Sequence, residues 1–428
     1  MENQGLVRQV RMFFNAIALQ AMLSAASLLV GIILIRRTSD LQYGYYILIS
    51  NAVLLLTTLQ NAYIQPSLVI KLTSADATRD TRTELVGNLY HLQRMLVPIF
   101  AIIAIISTFA LWSIDAIDTT DLIVVTTGCI AIVACLYREF FRMVLLAYRR
   151  PQDVLRSDTL FAALLIGGAF AATHSATPAA AAVSALALAA IVSGFFHSRS
   201  LKRHEAWQQG AKPKPVFLKE IAAFGLWSTA GAGIHWAFTQ GYNYLVAAQL
   251  SVASIAALSA TRLMIMPVNL LSTGIGSMMF PTVSTWMQQH SRQTVLRRLA
   301  LFAAGLAAVA SCYLAFMWML RNWIFDHILH KQFTDRDPLL MLWSAICLLM
   351  VVRDQLVYVL AASGRFRILS TLTLISALFA LLCSFIAMRQ LGEIGALLGV
   401  LLGELFNVVG IIVLSPRDAR NTPPVISS

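Results

Sequence analysis

The sequence predicts an all-α polytopic membrane protein, with twelve transmembrane helices in two parallel six-helix repeats. Three observations carry this. Hydrophobic residues make up 58% of the 428 and charged residues 12%, with mean hydropathy +0.73, whereas a soluble domain carries roughly 25% charged residues. The apolar residues fall in runs of about 20, the length that crosses about 30 Å of hydrocarbon. Several features recur 215 residues apart.

The first run, 13–35, follows MENQGLVRQVRMFF, which lacks a short apolar core ending in a small-residue cleavage site. It reads as a retained span and not a signal peptide. Five more spans follow at 44–70, 90–113, 122–148, 155–173 and 178–197. AATHSATPAAAA leaves only a very tight turn, around Pro178, between the last two. The longest connection, HSRSLKRHEAWQQGAKPKPVFLKE, is basic, contains Pro213 and Pro215, and lies at the midpoint of the chain. The second set of spans is 220–248, 254–285, 296–320, 338–362, 368–388 and 392–414. Several exceed 25 residues, so they must tilt, kink or protrude. The expected domains are a six-helix lobe at 1–200, a cytoplasmic linker at 201–219, a second lobe at 220–415 and a cytoplasmic tail at 416–428.

The midpoint linker prompts a search for a repeat. Pro66 in IQPSLV and Pro281 in MFPTVS are 215 apart. So are Arg138 and Arg353, Glu139 and Asp354, and Ala147 and Ala362, in spans of matching rank. An even number of spans per half makes the halves parallel, related by an axis along the membrane normal.

The net charge of +12 raises the question of nucleic acid, but no compact basic domain lies outside the spans. Of the 32 lysines and arginines, 22 lie on the side of the N-terminus, 6 on the other side and the rest within spans. That asymmetry places both termini in the cytoplasm. The opposite face carries SIDAIDTTD, whose Asp115, Asp118 and Asp121 read as a solvated loop or a cation site. The five cysteines all lie in apolar runs without CxxC spacing and read as buried side chains, neither disulfides nor metal ligands.

Beyond the histidines and the residues near span ends, seven ionisable groups fall within the spans: Arg138, Glu139, Arg142, Arg262, Arg353, Asp354 and Glu404. A charge at a helix centre costs roughly 2.5–3.5 kcal/mol on insertion scales, so each needs a partner or a watery cavity. Arg142 either snorkels to the cytoplasmic surface or faces the cavity, and Arg138 is one turn deeper. Arg353 pairs with Asp354 or Glu404, or faces the cavity; neighbours point about 100° apart, so Arg353 and Asp354 need not meet. Glu404 pairs with an arginine or titrates during transport. Arg262 lies in the half of the membrane away from the cytoplasm, and either snorkels outward or contacts substrate. Span 1 has no acid, only Asn15 and Gln20. Four arginines against three carboxylates suit an anionic ligand, particularly a diphosphate gripped in a bidentate way. Arg262, Arg353, Arg138, Asn15 and Asn269 are the expected substrate contacts. Glu139, Asp354 and Glu404 are the candidates for ion pairing or coupling.

Pro267 removes a donor from the middle of span 8, where a membrane helix kinks and neighbouring groups meet the freed carbonyl. Gly274, Gly276 and Pro281 extend the irregularity. No GxxxxGK[ST], GxSxG or His/Cys metal spacing occurs, and His235 reads as packed or hydrogen-bonded rather than as a proton carrier. No cofactor or metal is expected, and an ATP-driven pump or an enzyme fits poorly.

TRLMIMPVNLLSTGIGSMMFPTVS resembles span 8 of the multidrug/oligosaccharidyl-lipid/polysaccharide (MOP) exporter superfamily: an Arg-Leu pair, a proline soon after and a closing Phe-Pro. LIRRTSDLQYGYYILISN is similar to the end of span 1 in its polysaccharide flippases, and LAASGRFRILS to their segment joining spans 10 and 11. The resemblance covers the whole chain in span order. It implies a V-shaped transporter of two lobes, with alternating access around a cavity lined partly by spans 1, 2, 7 and 8. In the superfamily's lipid II flippases an arginine at the place of Arg262 faces that cavity. Those flippases flank it with acids where this chain has Thr261 and Ile265, and they carry two further helices, which favours the O-antigen and exopolysaccharide branch.

The resulting expectation is a flippase of the bacterial inner membrane, not an enzyme. It would carry a polyprenyl-diphosphate-linked oligosaccharide from the cytoplasmic to the periplasmic leaflet. Its partners would be that lipid-linked oligosaccharide, membrane lipids, and a polysaccharide polymerase with its chain-length regulator; nucleic acid is not expected. The alternatives are a cation-coupled multidrug antiporter of the same fold and a membrane glycan polymerase or ligase.

Overall fold

The computed structural model describes residues 2–73, 79–114, 118–148, 150–204, 215–363 and 365–414. Asp115, most of the basic linker and the C-terminal tail lie outside these residues. Among the described residues every regular element is a helix: α1 Glu2–Arg37, α2 Asp40–Thr73, α3 Arg79–Ser113, α4 Thr119–Ala147, α5 Pro151–Ala172, α6 Pro178–His204, α7 Pro215–Gln249, α8 Ser254–Leu263, α9 Met266–Gln289, α10 Arg292–Trp323, α11 Arg336–Ala362 and α12 Phe366–Leu414. A π-helical turn, Ile324–Leu329, closes α10 and ends on His330 with φ 49°.

The elements follow the expected spans in order: span 8 is divided between α8 and α9, and spans 11 and 12 are merged in α12. Among the described residues nine helical stretches are long and apolar enough to cross a membrane, from Ala18–Arg37 to Phe366–Leu414. The expected count of twelve is not reached on that standard, because α7, α8 and α9 are not among the nine and α12 counts once. The chain is a multi-pass, all-α membrane protein. It divides into two compact units, Met1–Trp236 and Ala237–Ser428, the division falling inside α7.

In the first unit α4 packs against α2, α3, α5 and α6, and α1 packs on α5. The apolar face of α4 supplies Phe140, Phe141, Val144 and Leu145, which are buried with Leu85, Leu89 and Leu201. Tyr90 sits against both phenylalanine rings, at 5.7 and 5.5 Å between centroids. The tight turn before Pro178 exists as expected: α6 starts at that proline, and the Gln42 side chain of α2 accepts the Ala179 N–H at 2.9 Å. This meets one of the donors that a helix start leaves open.

In the second unit span 8 is interrupted where the kink is expected, over Met264 and Ile265, which stay in the right-handed helical region and are tied by bonds to residues three positions back. α8 ends at Leu263 and α9 begins at Met266 with Pro267 in its first turn. Proline therefore sits where a helix has no N–H partner to lose. The Met264 carbonyl at the break accepts a hydrogen bond from the Tyr313 hydroxyl of α10 at 2.9 Å. Pro66, by contrast, lies within α2, which continues past it to Thr73. Pro281 lies within α9, and its side chain is outside the described ones.

α12 is two helices folded on each other. At Gly392 the backbone takes φ 54° and ψ −130°, a conformation that side chains resist. The second arm then runs back along the first, presenting Gly395, Gly399 and Gly403 at one-turn intervals. A methyl group on them would lie 2.4 Å from the Ala387 backbone, 2.2 Å from the Ser384 nitrogen and 2.3 Å from the Ala380 β-carbon. Backbones approach this closely in membranes through small residues, aided by hydrogen bonds across the seam. Ser384 donates to the Ala396 carbonyl at 2.8 Å and Asn407 donates to Ser376 at 3.1 Å.

Candidate functional site

The charges expected inside the membrane fall into three places. In the first unit, α4 carries Arg138, Glu139 and Arg142 on adjacent turns. Arg138 is bound through its Nη2 to Asp158 Oδ1 of α5 at 2.5 Å, donates from Nε to Ser193 of α6 at 3.3 Å, and stacks its guanidinium 3.8 Å from the Phe161 ring centre. Arg142 donates to Asp158 Oδ2 at 3.0 Å and to Glu139 at 2.9 Å. It therefore turns inward to two carboxylates and does not snorkel. Asn61 of α2 donates to Glu139 at 3.2 Å. His197 of α6 faces the same Asp158 oxygen at 3.6 Å, and both residues are fully buried.

Asp158 is the member that sequence reasoning missed. It lies at the start of span 5 as drawn and reads there as an end residue. The structure makes it the junction of α4, α5 and α6, because a carboxylate presents enough lone pairs for two guanidiniums at once. With it included, two arginines face two carboxylates and the cluster is neutral.

In the second unit, Arg353 of α11 grips Glu404 of α12 with Nη1, at 2.6 and 2.8 Å to the two carboxylate oxygens. It also donates to Asp354 from Nε and Nη2 at 3.2 and 2.9 Å. The neighbours do meet, because the long arginine side chain reaches around the helix to its shorter partner. Asp354 accepts in addition from Ser272 of α9 at 3.1 Å and is 29% exposed, against 7% for Arg353. One arginine against two carboxylates leaves this cluster with a surplus acid. The duplicated arginines thus occupy equivalent helices but draw their counter-ions from different ones, α5 in the first half and the second arm of α12 in the other.

Arg262 is held differently. From the end of α8 its Nη1 donates to Gln240 Oε1 at 2.7 Å and to the Tyr242 hydroxyl at 3.3 Å, both on α7. Its guanidinium lies 5.3 Å from the Trp343 ring centre. Trp343 is fixed in turn by donating to the Leu258 carbonyl at 3.1 Å and by an edge contact with Tyr242 at 5.9 Å. Among the described residues every partner of this guanidinium is neutral. Sequence spacing gave no access to these partners, which come from positions 20 to 81 residues away. Asn269 is half-buried on α9, one turn beyond the break; the Asn15 side chain lies outside the described ones. At the rim of the first unit, the Tyr45 hydroxyl donates to Asp121, so one acid of SIDAIDTTD ties α4 to α2.

Residues 150–338 match the profile of a family described as polysaccharide biosynthesis protein. No curated protein matches the chain by sequence. Among solved structures, the chain is similar to the inward-facing conformation of a multidrug resistance MATE family transporter of the MOP superfamily. The TM-score is 0.74 at 13% identity, over 92% of both chains. It is also similar to the lipid II flippase MurJ in an inward closed conformation, with a TM-score of 0.73 at 11% identity, over 95% of this chain and 87% of that one.

Proposed function

We infer, from the fold of the MOP exporter superfamily that this chain has, that it is a flippase for a polyprenyl-diphosphate-linked oligosaccharide. The fold makes it a transporter-like membrane protein, and the match to a polysaccharide biosynthesis profile favours a glycan cargo. The observation that carries the substrate class is Arg262. Arg138, Arg142 and Arg353 already face carboxylates, whereas Arg262 has only neutral partners among the described residues. A guanidinium held in orientation without a counter-ion suits a diphosphate, which it contacts through charge-assisted hydrogen bonds.

On this reading the cycle is alternating access between two lobes, at 1–200 and 220–415, joined by the linker at 201–219. Asn15 and Asn269 add polar lining for the glycan, and the isoprenoid tail stays in the bilayer. Arg138 and Arg353 serve chiefly as the fixed ion pairs of the two lobes. Asp354, partly exposed in a cluster with surplus acid, is the place for a coupling cation. The protein acts in the bacterial inner membrane with both termini in the cytoplasm, by translocation and not by catalysis. It delivers repeat units to a polymerase and its chain-length regulator.

The test is Arg262→Ala in the native host. The expected result is loss of surface glycan with the membrane protein at its normal level; unchanged glycan refutes the assignment. The surplus acid of the second unit favours one other reading, a cation-coupled drug antiporter. Under it, deletion leaves surface glycan intact and lowers drug resistance.

A further inference from the structure

We propose that Gln240 is a positioning residue that orients Arg262 while leaving its charge uncompensated, so that the substrate's anionic head group becomes its counter-ion. The inference rests on the reading of Arg262 given above.

The argument comes from comparing two arginines of one unit. Arg353 has Glu404 Oε1 2.6 Å from its Nη1, and Arg262 has Gln240 Oε1 2.7 Å from its Nη1. The contacts are equivalent in length and differ in charge. Glutamate neutralises Arg353; glutamine holds Arg262 and neutralises nothing. The amide orientation is set by its surroundings, since Asn243 Nδ2 also approaches Gln240 Oε1, at 3.4 Å. Two donors converge on that atom, so it is the oxygen. Gln240 and Asn243 are 8% and 1% exposed, and Tyr242 and Trp343 are 1% and 3%. The guanidinium is thus braced by buried groups that offer acceptors and an aromatic face. Arg262 itself is half-buried, so its charge is partly withdrawn from water, and an arriving anion meets a guanidinium already held in orientation.

Gln240→Glu isolates the charge, because glutamate has the same size and accepts from arginine more strongly. The full-length protein is purified and reconstituted in lipid nanodiscs, and binding of farnesyl diphosphate is measured by calorimetry. Wild type binds and Arg262→Ala does not. Gln240→Glu keeps or raises the melting temperature and weakens binding roughly 10- to 100-fold, the equivalent of one strong charged hydrogen bond. Gln240→Met, which loses the brace but adds no charge, weakens binding less. If Gln240→Glu fails to accumulate, Asn243→Asp places the carboxylate beside the same amide and serves instead, with the same direction expected. Unchanged binding in Arg262→Ala sinks the head-group reading itself. Loss in Arg262→Ala together with wild-type binding in the carboxylate variant, or a methionine variant worse than the glutamate one, overturns the role of Gln240.

Discussion

Replacing Asp158 with asparagine removes one charge and changes almost no volume. In the folded protein Asp158 is fully buried and binds Arg138 through one oxygen and Arg142 through the other. The asparagine variant leaves the buried Arg138 and the half-buried Arg142 with Glu139 as the remaining carboxylate of the cluster. Breaking a buried pair by removing one partner costs about 3–5 kcal/mol, because the charge left behind stays desolvated. The internal control is Asp153→Asn, one turn earlier on α5. Its pair with Arg150 is 31% and 19% exposed, and exposed pairs contribute about 0–1 kcal/mol. Thermal unfolding of the purified protein in detergent, followed by tryptophan fluorescence, measures both variants on the same scale. The expected result is a midpoint clearly lower for Asp158→Asn than for Asp153→Asn. Equal midpoints would refute the claim that Asp158 organises the α4–α5–α6 junction, and would mean that water or lipid headgroups neutralise those arginines.

Further outcomes follow from the same geometry. Gly399→Ala places a methyl group 2.2 Å from the Ser384 nitrogen, so the arms of α12 must separate and the membrane-inserted yield measured by fluorescent size-exclusion falls sharply. Gly305→Ala in α10 meets nothing within 4 Å and raises the melting midpoint, by the equivalent of about 0.5–1 kcal/mol. Tyr313→Phe strips the Met264 carbonyl of its donor at the α8–α9 break and lowers stability by about 1–3 kcal/mol in the same melt; an unchanged midpoint means that another donor moves in. Glu404→Gln leaves Arg353 with Asp354 alone and destabilises the second unit more than Asp337→Asn, whose pairs with Arg321 and Arg336 are 38% exposed at the acid.

What the sequence discloses and what it withholds divide on physical lines. Hydropathy runs locate the helices because every backbone polar group in hydrocarbon must be paired within its own segment. The twin arginines at 138 and 353 are legible because a duplication preserves spacing. Their counter-ions are not, since Asp158 and Glu404 come from helices whose approach is decided by packing. Asp158 also hides by position, being close enough to a span end to pass for a headgroup contact. The proline at 267 announces an irregularity, but the group that meets the Met264 carbonyl there is a hydroxyl 46 residues further on, at Tyr313. The neutrality around Arg262 is half legible: Thr261 and Ile265 show what does not flank it, while Gln240, Tyr242 and Trp343 emerge only in three dimensions.

The fold-back at Gly392 constrains how this chain can be taken apart. Most multi-pass proteins offer a cut point between any two spans, where fragments can be co-expressed or a reporter domain inserted. Here the reversal is accomplished at one residue, and the first glycine of the seam follows three positions later. A domain spliced in at that point would sit inside the packed pair rather than beside it. Phe366–Leu414 is therefore the smallest piece of this region that can be exchanged between relatives or expressed as a part, and chimaeras should take it whole.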